Sequence, residues 1–246
     1  MGKALKIGGK RHFSVDSRRP FPPILLAGYV IDSILWDSIP WLQAAAAYGR
    51  QNWFELLAAF TGFVCVYLNA RENVWGWPIS IISAFCYIFI FYEDTFYADM
   101  VLQGFFIAVG FYGWYAWLYG GNRQDTLAIT RISRVQAVLS GVVGVVFSAL
   151  VSYLLSTQTD AQQPIIDSTL TVFSLIAQYL LARKILENWL IWIGVDIFYI
   201  PVFLGRGRYV TAALYFAYLV LAVMGYLQWR KRQAAQKQTF LAENDL

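Results

Sequence analysis

Seven apolar runs separated by short polar joints organise the chain between about residues 53 and 229. The pattern predicts helices over about 53–70, 75–92, 97–119, 134–156, 165–183, 189–204 and 209–229. Each approaches the roughly twenty residues needed to cross about 30 Å of hydrocarbon. The joints read "NAREN", "EDT", "GGNRQDT", "STQTDAQQP", "RKILEN" and "GRGR". An earlier stretch, "FPPILLAGYVIDSILWDSIPWLQAAAAYG", is apolar but broken by Asp32, Asp37 and Pro40. It is expected to form either an amphipathic helix lying in the membrane interface or an eighth span.

Composition agrees with the pattern. Of 246 residues, 59% are hydrophobic and only 14% charged, against about a quarter charged in a soluble domain. The expected class is an all-α polytopic membrane protein, with many of the Tyr and Trp residues in interfacial belts. Arg71, Arg123, Arg131, Arg134, Arg183, Lys184, Arg230, Lys231, Arg232 and Lys237 fall on one side of the seven spans, and Arg206 and Arg208 on the other. Basic residues favour the cytoplasm, which places the C-terminus there. Because Lys and Arg occupy loops and tails, the net charge of +4 does not mark a nucleic-acid surface.

Other chemistry is scarce. His12, the only histidine, lies in the basic N-terminal tail, which leaves no basis for a His triad, an HExxH zinc site or a His proton relay. Cys65 and Cys86 lie in apolar runs and read as packing residues. "KIGGKR" lacks the spacing of a phosphate-binding loop, and the first twenty residues hold no apolar core of a cleavable signal peptide. No metal, cofactor or enzymatic activity is expected.

Three matches suggest an internal repeat. "YLNAR" at 67–71 resembles "YLLAR" at 179–183; "ENVWGW", Glu72 to Trp77, resembles "ENWLIW", Glu187 to Trp192; "GWYAW" at 113–117 resembles "GYLQW" at 225–229. Their offsets differ slightly, so small loop-length changes are needed to reconcile them. Three spans, one linker span and three more spans place both halves in the same direction, a parallel 3+1+3 repeat shared with the SWEET sugar transporters. The expected segments are 1–50, a basic tail and the N-terminal interfacial or extra helix; 51–120, the first three-helix repeat; 121–160, the linker helix; 161–232, the second repeat; and 233–246, a polar cytoplasmic tail. Transport is the natural use of such a duplex, with the site between the halves.

Polar residues recur at helical spacing. Asn188, Trp192, Asp196 and Tyr199 share one face of the sixth span; Asp167, Thr171, Ser174 and Gln178 share one of the fifth. Asp99, Gln103, Phe106, Gly110 and Trp117 form a stripe in the third with Tyr112 beside it, and the second offers Asn73, Trp77, Ser80, Ser83 and Tyr87. Ser and Thr in such stripes also serve as interhelical glue. Asp196 is different, because it falls near mid-depth, where an unpaired carboxylate is costly. It requires a cation, a water-filled cavity or a proton, and no Lys or Arg occurs within the seven spans. The missing cation is therefore expected to arrive with the substrate. Pro201, one turn beyond, frees a backbone carbonyl of a kind tolerated where it lines a cavity.

"NVWGWPIS", "YADMVLQGFF", "YGWYAW" and "ARKILENWLIW" together resemble the PnuC transporters of nicotinamide riboside over about Asn52 to Lys231. The resemblance implies facilitated diffusion of nicotinamide riboside across a bacterial inner membrane by alternating access, with a cytoplasmic kinase trapping the product for NAD synthesis. It also implies a substrate role for Gln103, Asn188 and the Trp114 and Trp117 region, although those tryptophans equally suit an aromatic belt. Facing adds Asp196 for the pyridinium charge, Trp77, Trp192, Tyr112 and Tyr199 to sandwich the ring, and Asn73 and Gln178 for ribose or carboxamide. The expected partners are this small molecule, the bilayer and further copies of the chain in a homo-oligomer, with no nucleic acid. Thiamine or riboflavin is the rival cargo. An intramembrane hydrolase lacks a base to activate a serine, and a channel would need a polar stripe free of bulky aromatics.

Overall fold

The computed structural model describes residues 53–93, 97–121, 127–158, 163–207 and 209–244, together with Pro40 and Gln43. The chain divides into two compact units, Met1–Trp53 and Phe54–Leu246. Pro40 and Gln43 are helical; otherwise the stretch expected to form an interfacial or extra helix lies outside the described residues.

Seven helices follow: α1 (Trp53–Ala70), α2 (Gly76–Glu93), α3 (Tyr97–Tyr119), α4 (Arg134–Gln158), α5 (Pro164–Ala182), α6 (Asn188–Gly205) and α7 (Tyr209–Asn244). Six begin and end within two residues of the apolar runs that predict them. The last four contain windows long and apolar enough to cross a membrane, and Ala59–Ala70 and Gly76–Phe89 form shorter apolar helical stretches. Pro164 at the first turn of α5, with Asp167 close behind, supplies a preset φ and a favourable charge at the helix dipole.

The seventh helix departs from expectation. Rather than ending near Trp229, where the apolar run ends, it continues through the polar tail to Asn244. "RKRQAAQKQ" consists of strong helix formers, and this extension is used. Gln233 Nε2 donates to the Ile129 carbonyl at 3.3 Å, and the Ile129 amide donates to Gln236 Oε1 at 3.3 Å. The linker before α4 is thereby bound to α7. On its other side Thr130 bridges to Ile185 in parallel, with the Thr130 amide donating to the Lys184 carbonyl and the Leu186 amide to the Thr130 carbonyl.

Neighbouring helices pack as α2 on α3, α6 on α7, α4 on α5, α5 on α6 and α3 on α5. Much of the apolar surface of α4, including Val135, Val138, Val145 and Phe147, faces outward, as suits a helix bathed in lipid tails.

The structure corrects the register of the repeat. A single spacing of 112 residues, that between Glu72 and Lys184, relates the starts of α2 and α6 and those of α3 and α7. It also relates the two joints bond for bond. The Glu72 amide donates to Asn69 O and the Asn73 amide to Leu68 O; the Lys184 amide donates to Leu181 O and the Ile185 amide to Leu180 O. Each set is a Schellman ending, whose reversing residue is usually glycine. Here the reversing residues are Glu72 at φ 56° and Lys184 at φ 48°, a conformation costing a side-chain-bearing residue of order 1 kcal/mol or more. "ENVWGW" and "ENWLIW" are therefore out of register by three residues, and the counterpart of Trp77 is Trp189, not Trp192.

Candidate functional site

Two layers of side chains cross the helices, and residues 112 apart build the first in matched pairs. The first lies at the end carrying Arg71, Arg183, Lys184 and the basic segment after Trp229, called the basic end here. Trp77 and Trp189 are 0% and 1% exposed. Each lies against a glycine of the neighbouring helix, Trp77 on Gly113 and Trp189 on Gly225. Each also meets a second tryptophan edge-on: Trp77 and Trp117 at 5.5 Å and 86°, Trp189 and Trp229 at 5.5 Å and 88°. Trp117 and Trp229 then touch across the repeats at 5.9 Å. Their hydrogen bonds are exchanged, Trp117 Nε1 donating to Leu181 O and Trp229 Nε1 to Asn69 O, both at 3.2 Å.

Over this layer Lys184 Nζ pairs with Glu72 Oε2 at 3.2 Å, with both side chains largely buried. Lys184 also lies 4.7 Å from the Trp117 ring centre, a cation–π distance. Burial lowers the Lys184 pKa from its ordinary value, and Glu72 pulls in the opposite direction. Arg232 completes the group by donating to Glu72 Oε1 at 3.0 Å.

The second layer contains Asp196 and a run of aromatic rings on α6 and α7. This carboxylate is 3% exposed and lies two helical turns, about 12 Å, along α6 from Asn188. Tyr199 follows one turn later, 4.6 Å from Tyr215 of α7. Tyr215 contacts Tyr218 at 5.7 Å and Phe203 at 5.0 Å. Asp196 is within electrostatic range of Tyr215 and Tyr218, as is Tyr87 of α2. Gly62 of α1 leaves room for the Tyr218 hydroxyl, since a Cβ there would lie 2.8 Å from it. Among the described residues the ion pairs are Lys184 with Glu72, Arg232 with Glu72 and Arg206 with Asp167; none reaches Asp196.

The residues singled out from sequence distribute unevenly between these layers. Asp196 and Tyr199 come together. Trp192, half-buried, and Trp114 pack against the tryptophan layer. Trp117 is buried within that layer, and Trp77 is wedged against α3 rather than opening a face toward Asp196. Asn188 is fully buried, with its Nδ2 donating to Ile185 O at 2.7 Å. Gln178 is buried in α5, and Gln103 of α3 is half-buried. Two fall elsewhere. Asn73 is exposed and accepts a bond from the Trp75 amide at 3.0 Å, which caps the joint. Tyr112 lies at the surface, stacked on Tyr179 and accepting from Arg183 at 3.3 Å. Tyr215 and Tyr218 were not among those candidates, and Tyr87 stood in the stripe of the second span without a substrate role. The uniform spacing points to two of them, matching Tyr199 to Tyr87 and Gln103 to Tyr215.

The repeat is symmetric in scaffold and unequal in chemistry. The position matching Asp196 is buried Ala84, so the carboxylate of one half has a small apolar residue as its counterpart in the other. Along α6 and α7 the Tyr199, Tyr215 and Tyr218 rings thus accompany a buried carboxyl group that has no Lys or Arg paired to it among the described residues.

Comparison with known proteins is consistent with this architecture. The nicotinamide riboside transporter PnuC of Escherichia coli (strain K12) is 26% identical over 204 residues, covering 72% of this chain and 85% of that protein. The riboflavin/roseoflavin transporter RibM of Streptomyces davaonensis is 24% identical over 194 residues, covering 77% and 90%. Among solved structures, one titled the crystal structure of the vitamin B3 transporter PnuC superimposes with a TM-score of 0.63 at 23% identity, covering 79% of this chain and 88% of that one. This likeness bears on the fold. The model of the nicotinamide mononucleotide transporter family matches residues 52–231, so the chain belongs to that family of membrane transporters and is not an enzyme.

Proposed function

We propose that this chain carries nicotinamide riboside across a bacterial inner membrane by facilitated diffusion, exposing the Asp196 layer alternately to each side. Asp196, buried in α6 one turn before Tyr199, whose ring meets Tyr215 and through it Tyr218, is the observation that carries the reading. Nicotinamide riboside has a fixed positive charge on an aromatic ring, three ribose hydroxyls and a carboxamide. The carboxylate offsets the charge, the rings hold the pyridinium by stacking and cation–π attraction, and Gln103, Gln178, Asn188 and Trp192 offer hydrogen bonds along the same path.

The phosphate decides between the riboside and its mononucleotide. A phosphate would bring about two negative charges toward Asp196, and no Lys or Arg lies in α1, α2, α3, α5 or α6 to receive them. Riboflavin, as named for the Streptomyces relative, has a neutral ring system that makes no use of the carboxylate. The scaffold in this reading is a parallel 3+1+3 duplex with α4 as linker, its C-terminus in the cytoplasm and cargo trapped there by phosphorylation.

Calorimetry on the detergent-solubilised protein tests the assignment. Nicotinamide riboside is expected to bind with micromolar affinity and its mononucleotide at least about 30-fold more weakly, from uncompensated charge at a buried site. Thiamine, also cationic, and riboflavin should bind more weakly than the riboside. Equal or tighter binding of either would overturn the cargo assignment.

A further inference from the structure

Glu72 and Lys184 occupy the same place in the two repeats, and the two side chains meet each other. Both adopt the left-handed backbone at a position where helices ordinarily use glycine. A turn that needed only to reverse would be served better by glycine, so the strain points to a use for the side chains. What they form is a charge pair joining the halves over the tryptophan layer. The exchanged bonds from Trp117 to Leu181 and from Trp229 to Asn69 join the halves a second and a third time.

The same layer holds an opposing feature. Asn69 Oδ1, Trp77 Nε1, Asn188 Oδ1 and Trp189 Nε1 are buried with no hydrogen-bond partner among the described residues. They come from both repeats, and the two indole nitrogens are repeat counterparts. Closure at this end therefore combines strong inter-repeat contacts with polar atoms that would gain partners if water or cargo entered. Opposing terms of this kind give a two-state element that a modest push can reverse.

We infer that the Glu72–Lys184 pair, seated on the crossed Trp117 and Trp229 bonds, is the lock that closes the carrier at its basic end and parts when cargo passes that way. It rests on the transporter reading above but on no particular cargo. The pair must be opposite in charge because it joins equivalent positions across the repeat. Exchanging the two residues should then preserve the lock, whereas reversing either alone should open it.

Cys65 provides an internal reporter. It is buried in α1 one turn from Asn69, accepting a bond from Asn69 Nδ2 at 3.5 Å. The experiment uses full-length protein carrying Cys86→Ala and Arg232→Gln, the latter removing the second partner of Glu72. In inverted vesicles without cargo, where the basic end faces the bath, a small membrane-impermeant thiol reagent labels Cys65. Glu72→Lys and Lys184→Glu are each expected to speed labelling about tenfold over this parent, and the double exchange to return it to within about twofold of the parent. Labelling of either single variant at the parent rate, or of the exchange as fast as the singles, overturns the lock. Lys184→Gln, which creates no like-charge pair, should change in the same direction as the reversals if either fails to fold. An unchanged rate there overturns the lock as well. Loss of riboside binding with this labelling pattern intact would count against the cargo alone.

Discussion

Asp196→Asn is expected to reduce uptake of nicotinamide riboside about 30- to 100-fold, measured in cells with no other entry route, while the variant still reaches the membrane in normal amount. Removing one member of a desolvated charge pair costs on the order of 2–5 kcal/mol, and each 1.4 kcal/mol is tenfold in affinity. The lower part of that range applies, because the asparagine amide still offers a hydrogen-bonding oxygen. The empty protein should respond in the opposite sense. A carboxylate that is 3% exposed and has no cation partner among the described residues destabilises the structure that holds it, so the variant should melt no lower than the parent. Uptake within threefold of the parent would remove Asp196 from the transport path.

The second large effect concerns folding. Gly113→Val and Gly225→Val should each abolish monodisperse protein on size exclusion. At Gly225 an added Cβ would lie 2.8 Å from two ring carbons of Trp189, and at Gly113 it would fall against three ring carbons of Trp77. Both rings are almost wholly buried, and each also meets edge-on a second tryptophan one turn along the glycine's own helix, Trp117 or Trp229. Overpacking ordinarily costs about 1–3 kcal/mol, and a fully buried indole lodged between two helices belongs at or above the top of that range. Gly104→Ala is the control, with nothing within 4 Å of the added carbon, and should leave the yield unchanged. Normal folding of Gly225→Val would mean that the tryptophan layer is looser than its geometry indicates.

The helices were legible because the bilayer demands long apolar runs and the joints between them are plainly polar. Helix ends agree closely wherever "NAREN", "RKILEN" or "GRGR" intervenes. The extension of α7 was not legible, because a polar Gln- and Lys-rich segment reads equally as a tail until Gln233 and Gln236 are seen gripping Ile129. The linker contact between Thr130 and Ile185 leaves no periodic mark at all.

The register of the repeat was hidden for a physical reason. Identity matching aligns Glu72 with Glu187, whereas the structure pairs it with Lys184. Residues that meet across a repeat must attract, so the positions that define the relation most sharply are the ones that differ in charge. The same slip set Trp192 opposite Trp77. Facing alone placed Asp196 and Tyr199 on one surface but gave no depth. It therefore could not distinguish Trp77, wedged on Gly113, from a ring open to cargo, nor place Asn73 and Tyr112 at the surface. Tyr215 and Tyr218 sit in a helix whose continuous apolar character masks their common face.

The pairing of Asp196 with a charged guest is tested most directly by titrating both Asp196 and Asp196→Asn proteins with nicotinamide riboside and with its uncharged, reduced dihydro form. The substitution is expected to weaken the charged ligand at least about tenfold more than the neutral one, the coupling expected of a desolvated charge pair. Equal weakening of both ligands would contradict it.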